Sequence, residues 1–210
     1  MPGSEDFGAA AFQAATDVSR ETLVQLQRYV DVLQRWAPRV NLIGPSTLDD
    51  IWRRHILDSA QLWPHLPDNS KTLVDFGSGA GFPGMVLAIM GVPDVHLVES
   101  NQRKCVFLRE VARAAGVNVT VHASRIEALT PFPVDVVTAR ALASLPILLE
   151  YAEPFLKSNT ICLFPKGQRV NEELTETQKR WNITHDVFSS LTDPTGGIVR
   201  LEAISRVDPC

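Results

Sequence analysis

The spacing of apolar residues changes along the chain, and the change separates an N-terminal helical region from an α/β region. Apolar side chains first recur at three- and four-residue steps, which predicts an amphipathic helix over 19–36. Its apolar positions are Leu23, Leu26, Val30, Leu33 and Trp36. A second helix is expected over about 47–63, because a proline follows it directly. Residues 1–18 do not show this period, and we expect them to form a flexible N-terminal tail.

Short apolar runs alternate with helical segments beyond about residue 69. Runs rich in β-branched residues predict five strands, at 72–76, 95–99, 117–121, 134–138 and 160–164. The segments between and after them predict four helices, at about 83–90, 102–115, 144–156 and 171–180. This alternation is typical of a doubly wound, mostly parallel sheet that is covered by helices on both faces.

The last two apolar runs, 182–188 and 197–205, are joined by a loop rich in turn residues. We expect them to pair as a hairpin, which would add an antiparallel strand to the sheet. The predicted fold class is therefore α/β, Rossmann-like, with a C-terminal antiparallel strand and an N-terminal helical extension. The expected organisation is a flexible tail (1–18), a helical extension (19–68) and a cofactor-binding core (69–210).

The composition limits the compartment and the partners. The chain has 210 residues and a net charge of −4, so a nucleic-acid partner would need a local basic patch. Its three cysteines, Cys105, Cys162 and Cys210, lie far apart, which predicts reduced thiols in the cytoplasm and no metal site. The N-terminus lacks a signal-peptide pattern, and the longest apolar run is too short to cross a bilayer, so we expect no membrane partner.

The most informative motif is residues 73–84, in which a predicted strand carries Asp75 near its end. Gly77, Gly79 and Gly81 follow, and a helix begins directly after them. Glycines without Cβ atoms let the backbone turn sharply and let a ligand lie against it. A carboxylate beside exposed helix N–H groups favours a nucleotide-like cofactor that carries a cationic tail.

Two cofactor classes fit this loop. Residues 79–84 also satisfy G-x-G-x-x-G, the dinucleotide pattern, and Glu99 ends the next strand where an acid binds ribose hydroxyls. Asp75 decides between them, because a carboxylate next to the loop would repel a pyrophosphate. S-adenosylmethionine has no phosphate and carries an amino group and a sulfonium, and we favour it. A nicotinamide-dependent oxidoreductase, a non-catalytic binding module and a small-molecule methyltransferase remain as alternatives.

Several short motifs resemble one family when they are taken together. The chain is similar to the RsmG/GidB family, bacterial S-adenosylmethionine-dependent methyltransferases of small-subunit ribosomal RNA. The motifs that carry this resemblance, in chain order, are Asn41-Leu-Ile, Arg54-His-Ile-Leu-Asp-Ser59, Asp75-Phe-Gly-Ser-Gly-Ala-Gly-Phe-Pro-Gly84, Ser124-Arg-Ile-Glu127, Thr138-Ala-Arg-Ala141 and Pro165-Lys-Gly167. The resemblance implies the class I methyltransferase version of the predicted fold.

The resemblance also implies a set of cofactor-binding residues. Glu99 is expected to take the ribose hydroxyls, and Ile126 and Glu127 are expected to border the adenine. Arg140 would enter the pocket after the fourth strand. The remaining expected cofactor contacts are Asp75, Gly77, Gly79, Phe82, Ser100 and Asn101.

Residues at the ends of the fourth and fifth strands bear on the methylated atom. Enzymes that methylate exocyclic amines resemble one another in an Asn/Asp-Pro-Pro-aromatic loop, whereas this chain has Arg140-Ala-Leu-Ala there. Cys162 lies in the middle of an apolar run, and we expect it to be buried and a poor nucleophile. An endocyclic nitrogen or an oxygen is left. The resemblance implies guanine N7 in a decoding-region hairpin of 16S rRNA.

The family's chemistry needs no general base, because guanine N7 has a free lone pair. Arg140 and Lys166 are the candidate catalytic residues, and either of them could bond guanine O6 and orient the ring. Arg53, Arg54 and His55, with Lys166, are the candidate RNA-binding residues. The expected substrate is 16S rRNA, within a small-subunit particle, and the expected protein is a monomer.

Histidines outside these motifs are expected to be structural. His65, His96, His122 and His185 stand apart in the sequence and show no metal-ligand spacing. His55 and Asp58 stand three residues apart on a predicted helix, so they share a face and could bond each other, either to pack the helix or beside bound RNA.

Overall fold

The computed structural model describes residues 7–207. Its seven strands are β1 (Thr72–Phe76), β2 (Asp94–Val98), β3 (Thr120–His122), β4 (Val136–Ala139), β5 (Ile161–Lys166), β6 (Trp181–Ser189) and β7 (Gly197–Arg206). Its α-helices are α1 (Ala9–Thr16), α2 (Arg20–Trp36), α3 (Asp58–Ala60), α4 (Gly84–Met90), α5 (Gln102–Ala115), α6 (Leu145–Ala152) and α7 (Val170–Thr177). A π-helical segment, Trp52–Leu57, runs directly into α3.

The strands form one sheet in the order β3-β2-β1-β4-β5-β7-β6. Strands β1 to β5 are parallel, and β7 lies antiparallel between β5 and β6. This confirms the predicted α/β class, the mostly parallel sheet and the C-terminal antiparallel strand. The strand order reverses between β1 and β4, which is where doubly wound folds place their ligands, beyond the carboxyl ends of the strands.

Apolar side chains fill both faces of the sheet because successive strand residues point to opposite sides. Leu73 of β1 faces one core, which α2, α4 and α5 also enter. Val74 and Phe76 of the same strand face a second core, which α6 and α7 close. None of the helices between residues 7 and 207 is both long enough and apolar enough to cross a bilayer.

The prediction of a flexible tail over 1–18 was wrong for α1, which is a regular helix. Phe12 of α1 is fully buried and packs against Trp52 with ring centroids 5.5 Å apart. The alanine-rich sequence of α1 contains a single large apolar residue, so no helical period was visible. Residues 1–6 of the predicted tail lie outside the described residues. The three-part domain division stays a prediction, although α1 and α2 bury side chains in the same core as β1.

The second predicted helix, over 47–63, is shorter and irregular. A 3₁₀ turn (Pro45–Thr47) precedes the π-helical segment, and a second 3₁₀ turn (Trp63–His65) follows α3. Strand β3 begins at Thr120 rather than at 117, because Gly116 ends α5 in a left-handed conformation and the chain must first turn. Strand β5 extends to Lys166, because its last residues pair with β7.

Candidate active site

The glycine loop joins β1 to α4 at the point where the strand order reverses. Gly77 and Gly79 adopt left-handed backbone angles, with φ of +64° and +57°, which side chains rarely tolerate. Gly84 begins α4, and a Cβ there would lie 2.6 Å from Cδ2 of Leu97 and 2.7 Å from Cβ of Asp75. The loop is therefore pressed against the sheet and presents bare backbone on its outer side.

Glu99 holds this loop from the carboxyl end of β2. Its Oε2 accepts a hydrogen bond from the backbone N–H of Gly79 at 3.0 Å, and its Oε1 accepts one from Asn101 at 2.6 Å. These two bonds fix the plane of the carboxylate while each oxygen keeps a second lone pair free. The side chain is 9% exposed, beside the exposed Ser100. The arrangement fits the bidentate binding of two ribose hydroxyls.

Asn101 links this carboxylate to α5. Its side-chain oxygen caps the helix by accepting from the backbone N–H groups of Arg103 and Lys104, at 3.0 and 3.3 Å. The cap aims the first turn of α5 at the ligand edge of the sheet. Ile126 and Glu127 form a 3₁₀ turn four residues after β3, with Ile126 half-buried and Glu127 exposed.

Asp75 lies beneath the loop and has no exposed surface. Its Oδ1 accepts from the Thr138 hydroxyl at 2.9 Å, while its Oδ2 has no hydrogen-bond partner. Burial raises the pKa of this carboxyl to about 6, against the opposing effect of its hydrogen bonds. An unpartnered buried carboxylate oxygen is costly and suits a nearby cation. The expected direct contact with the cofactor is not what the structure places here, since the loop covers the side chain.

Phe82 is also more deeply placed than expected. It is 4% exposed and lies between Tyr29 of α2 and His55, whose rings stack on it at 5.3 and 5.0 Å. The Tyr29 hydroxyl donates to the carbonyl of Ala80 in the glycine loop. Phe82 therefore braces the loop against the N-terminal helices instead of presenting its ring face as a cofactor contact.

Arg140 stands just beyond β4 and joins three parts of the chain. Its guanidinium donates to Oδ2 of Asp58 at 2.9 Å, to Nδ1 of His55 at 3.0 Å and to the carbonyl of Arg54 at 3.3 Å. It also lies 4.9 Å from the ring centroid of Phe82, a cation–π distance. The bond between His55 and Asp58 that their spacing allows is not formed, because Arg140 donates to both side chains.

His55 is uncharged in this arrangement. Burial, together with the positive charges of Arg140 and Arg54, lowers its pKa to about 3. Arg140 donates to Nδ1, so the ring proton is assigned to Nε2, which lies 2.8 Å from the Thr47 hydroxyl. His55 thus orients Arg140 and is not placed to bind a phosphate as a cation.

Lys166, at the end of β5, is buried to 9% side-chain exposure. Its ammonium donates to the carbonyl of Ala143 at 2.7 Å and pairs with Glu173 of α7 at 2.8 Å. The same Glu173 oxygen accepts from the backbone N–H of Leu145 at 2.7 Å. Lys166 therefore anchors the β4–α6 loop, and its ammonium is largely occupied.

A cavity of about 560 Å³ opens above these residues, within the usual range of ligand sites. The carboxyl ends of β4 and β5, the π-helical segment and the β6–β7 loop form its walls. Leu142 lines the cavity and also contacts the glycine loop, where a Cβ on Gly77 would lie 2.8 Å from its Cδ1. The basic side chains of the wall are Arg54, Arg140, Lys166 and Arg169.

Arg53 and Arg54 were both expected to bind RNA, and the structure separates them. Arg54 is exposed and lines the cavity. Arg53 points towards α1, with its guanidinium 4.7 Å from the Phe7 ring centroid and 4.0 Å from Asp50. Arg53 and Arg54, although adjacent in sequence, therefore face different surfaces of the protein.

The structure also shows the surroundings of Cys162 and of two histidines. Cys162 is fully buried and burial strongly raises its pKa, which confirms that it is a poor nucleophile. His96 and His122, which stand apart in the sequence, meet in the structure, where their ring nitrogens lie 2.9 Å apart on β2 and β3. Asp58, Thr192 and Glu173 were not predicted as site residues. Only Asp58 lay in a recognised motif, and nothing local marked the other two.

Comparisons with known proteins identify the family of the chain. The sequence model of the family described as GidB, rRNA small subunit methyltransferase G, matches residues 22–196. The ribosomal RNA small subunit methyltransferase G of Rhodospirillum centenum is 54% identical, over 95% of this chain and 92% of that protein. The protein of the same name from Paramagnetospirillum magneticum is 56% identical, over 90% of this chain and 92% of that protein.

Solved structures show the same fold at low sequence identity. M. jannaschii TYW2 in complex with AdoMet is 15% identical, with a TM-score of 0.56 over 81% of this chain and 80% of that chain. A TehB-like SAM-dependent methyltransferase from Corynebacterium glutamicum is 11% identical, with a TM-score of 0.56 over 84% of this chain and 98% of that chain. These neighbours show the fold, and the close relatives show the family. The chain belongs to the rRNA small subunit methyltransferase G family, which consists of S-adenosylmethionine-dependent methyltransferases.

Proposed function

We propose that this chain transfers the methyl group of S-adenosylmethionine to N7 of a single guanine in the decoding-region hairpin of 16S rRNA. The observation that carries the proposal is the cavity next to the glycine loop, which has Arg140 in its wall and whose acids are already engaged by other groups of the chain. Family membership supports the cofactor and the ribosomal RNA. The geometry of the cavity supports a base that needs alignment rather than proton removal.

The cofactor's place follows from the residues that fit it. Glu99 would take the ribose hydroxyls, and the backbone of Gly77 and Gly79 would lie against the amino-acid tail. Ile126 and Glu127, on the turn after β3, would border the adenine. When bound, S-adenosylmethionine supplies an electrophilic methyl group. Asp75 would act through the loop, because its buried negative charge favours a cationic ligand above it.

The cavity has to align guanine N7 with the methyl group that it attacks. Guanine N7 attacks with its own lone pair, so no proton must leave, and holding the reacting atoms in line supplies a large entropic advantage. Four groups that could take a proton line the cavity, and each of them is engaged. His55 has both ring nitrogens occupied, and Asp58 and Glu173 are held in ion pairs. Asp193 accepts from the backbone N–H and the hydroxyl of Thr195. The wall therefore orients a base and tolerates its developing charge.

Arg140 is the better of the two candidate catalytic residues for holding the base. A guanidinium has five N–H donors in a fixed fork, and the three bonds of Arg140 leave donors free for guanine O6. The ammonium of Lys166 is bound to Ala143 and Glu173 and nearly excluded from solvent. We assign base orientation to Arg140 and loop anchoring to Lys166.

The substrate is proposed to be the RNA within a small-subunit particle. A net charge of −4 predicts weak binding of naked RNA, since the chain as a whole does not attract phosphates and only the local basic groups of the cavity wall would. Ribosomal proteins would then hold the hairpin in the shape that the cavity accepts. We further propose that the enzyme acts as a monomer in the bacterial cytoplasm.

The experiment compares two substrates with one labelled cofactor. The purified chain is incubated with tritiated S-adenosylmethionine and either small ribosomal subunits or naked 16S rRNA, both from a strain that lacks an enzyme of this family. We expect one methyl group per small subunit and slower labelling of naked RNA. Large ribosomal subunits serve as the control. Absence of label in small subunits, with cofactor binding intact, would refute the proposal.

A further inference from the structure

Two of the four basic side chains that line the cavity are left without an acidic partner. Arg140 and Lys166 are held in ion pairs by carboxylates on α3 and α7. Arg54 and Arg169 are exposed, and within residues 7–207 neither of them forms an ion pair. They come from different elements, the π-helical segment and the β5–α7 loop. Asp193 lines the same cavity, and its pKa is lowered mainly by a backbone hydrogen bond and also by the nearby charge of Arg54, but it forms an ion pair with neither arginine. Both arginines can therefore meet an anion at the cavity mouth.

The loop between β6 and β7 completes the wall and is held by its own hydrogen bonds. Ser190 Oγ accepts from the backbone N–H groups of Thr192 and Asp193, at 3.2 Å each. From outside the loop, Gln61 Oε1 accepts from the N–H of Leu191 at 2.7 Å. These bonds satisfy the backbone of the loop and fix its position relative to the N-terminal helices.

Leu191 is held out into solvent by this loop. Its side chain is 69% exposed, the highest value among the exposed large apolar residues of the described chain. Its neighbours Ser190 and Thr192 both line the cavity, while Leu191 itself is outside the lining, on the same loop. An apolar side chain beside free arginines matches an unpaired nucleotide, which combines an apolar base face with an anionic phosphate.

We propose that Arg54, Arg169 and Leu191 form an RNA-binding rim around the cavity. The two arginines hold phosphates that flank the target guanine, and Leu191 packs against the face of an unpaired neighbouring base. The inference rests on the proposed function, because it takes RNA as the substrate. The rim adds affinity at a distance from the reacting atoms, so it governs binding and leaves the methyl-transfer step to Arg140.

The arginines are tested by steady-state kinetics on small ribosomal subunits over a range of salt concentrations. Arg54→Ala and Arg169→Ala are each expected to raise KM roughly tenfold, to leave kcat within about twofold, and to reduce the slope of log KM against log salt by about one. Arg28→Ala, an exposed arginine of α2, is the matched control and should keep the parent KM and slope. An unchanged KM and slope in both rim variants would overturn the rim.

Leu191 is tested by base stacking. The base next to the mapped target guanine is replaced by 2-aminopurine in 16S rRNA that is assembled into small ribosomal subunits, and its fluorescence is followed on binding. The parent chain and Val24→Ala, an exposed apolar control on α2, should change the fluorescence equally, while Leu191→Ala should lose most of the change. Equal signals from Leu191→Ala and the parent would remove Leu191 from the rim. A parent chain that methylates no small subunits would instead refute the proposed function itself.

Discussion

Asp58 is expected to act on catalysis through Arg140, by holding the guanidinium in place with an ion pair. The two side chains are 2.9 Å apart and only 17% and 18% exposed. Removing one partner of a buried pair costs roughly 3–5 kcal/mol. Arg140 would keep its bonds to His55 and to the carbonyl of Arg54. Because these two bonds remain and the pair is still partly exposed to solvent, we expect the loss of Asp58 to weaken the positioning of Arg140 by about 2 kcal/mol.

Asp58→Ala should therefore lower kcat by roughly 30-fold, since about 1.4 kcal/mol corresponds to a factor of ten. Asp58 also accepts from the Thr192 hydroxyl at 2.5 Å and from Gln61 at 3.0 Å. Loss of these bonds adds about 1 kcal/mol to the loss of stability, measured by urea unfolding. Asp50→Ala, at a pair 4.0 Å apart and largely exposed, is the control and should cost less than about 1 kcal/mol.

A double-mutant cycle decides whether Asp58 works through Arg140. Arg140→Ala alone is expected to lower turnover by orders of magnitude. If Asp58 serves to position Arg140, then Asp58→Ala should change kcat little in the Arg140→Ala background, a coupling of about 2 kcal/mol. Effects on kcat that add to within about 0.5 kcal/mol would refute this reasoning. Unfolding curves for all four proteins separate loss of positioning from loss of fold.

Two other predictions concern the cofactor side. Glu99→Gln should weaken S-adenosylmethionine binding by roughly tenfold or more in calorimetry, through loss of a charge-assisted acceptor, while Glu110→Gln on α5 should not; equal affinities would contradict the assigned role. Burial raises the pKa of Asp75 to about 6, above its unfolded value near 4, so the folded chain keeps a proton that the unfolded chain loses between pH 4 and 6. The free energy of unfolding should therefore fall by up to about 3 kcal/mol as the pH rises through that window. Asp75→Asn should remove this fall when unfolding by urea is measured without cofactor. Identical pH profiles for the parent chain and Asp75→Asn would show that Asp75 does not cause the fall.

The fold could be predicted from sequence where apolar periods are long and regular. Residues 19–36 gave a clear helical period, and the structure places α2 at Arg20–Trp36. The alternating pattern after residue 69 predicted every strand of the sheet to within a few residues. The helix α1 was missed because it contributes only Phe12 to the core. A helix that buries a single side chain has no repeating apolar pattern that could predict it.

Individual site residues could be predicted, but their partners could not. The residue types of Glu99, Arg140 and His55 stand in recognisable motifs. Their geometry depends on contacts between distant parts of the chain, such as the pairing of Arg140 with Asp58, 82 residues apart. The same holds for His96 and His122, which come together only through the register of β2 and β3. Burial also changed two expected roles, those of Lys166 and Phe82.

Mapping the methylated atom tests the central claim most directly. Small ribosomal subunits from a strain without this activity would be methylated by the purified chain, and their 16S rRNA would then be treated with borohydride and aniline. N7-methylated guanine is cleaved under these conditions. We predict cleavage at a single guanine in the decoding-region hairpin, absent without S-adenosylmethionine. Incorporated methyl groups without aniline cleavage, or cleavage at a guanine elsewhere, would contradict the account.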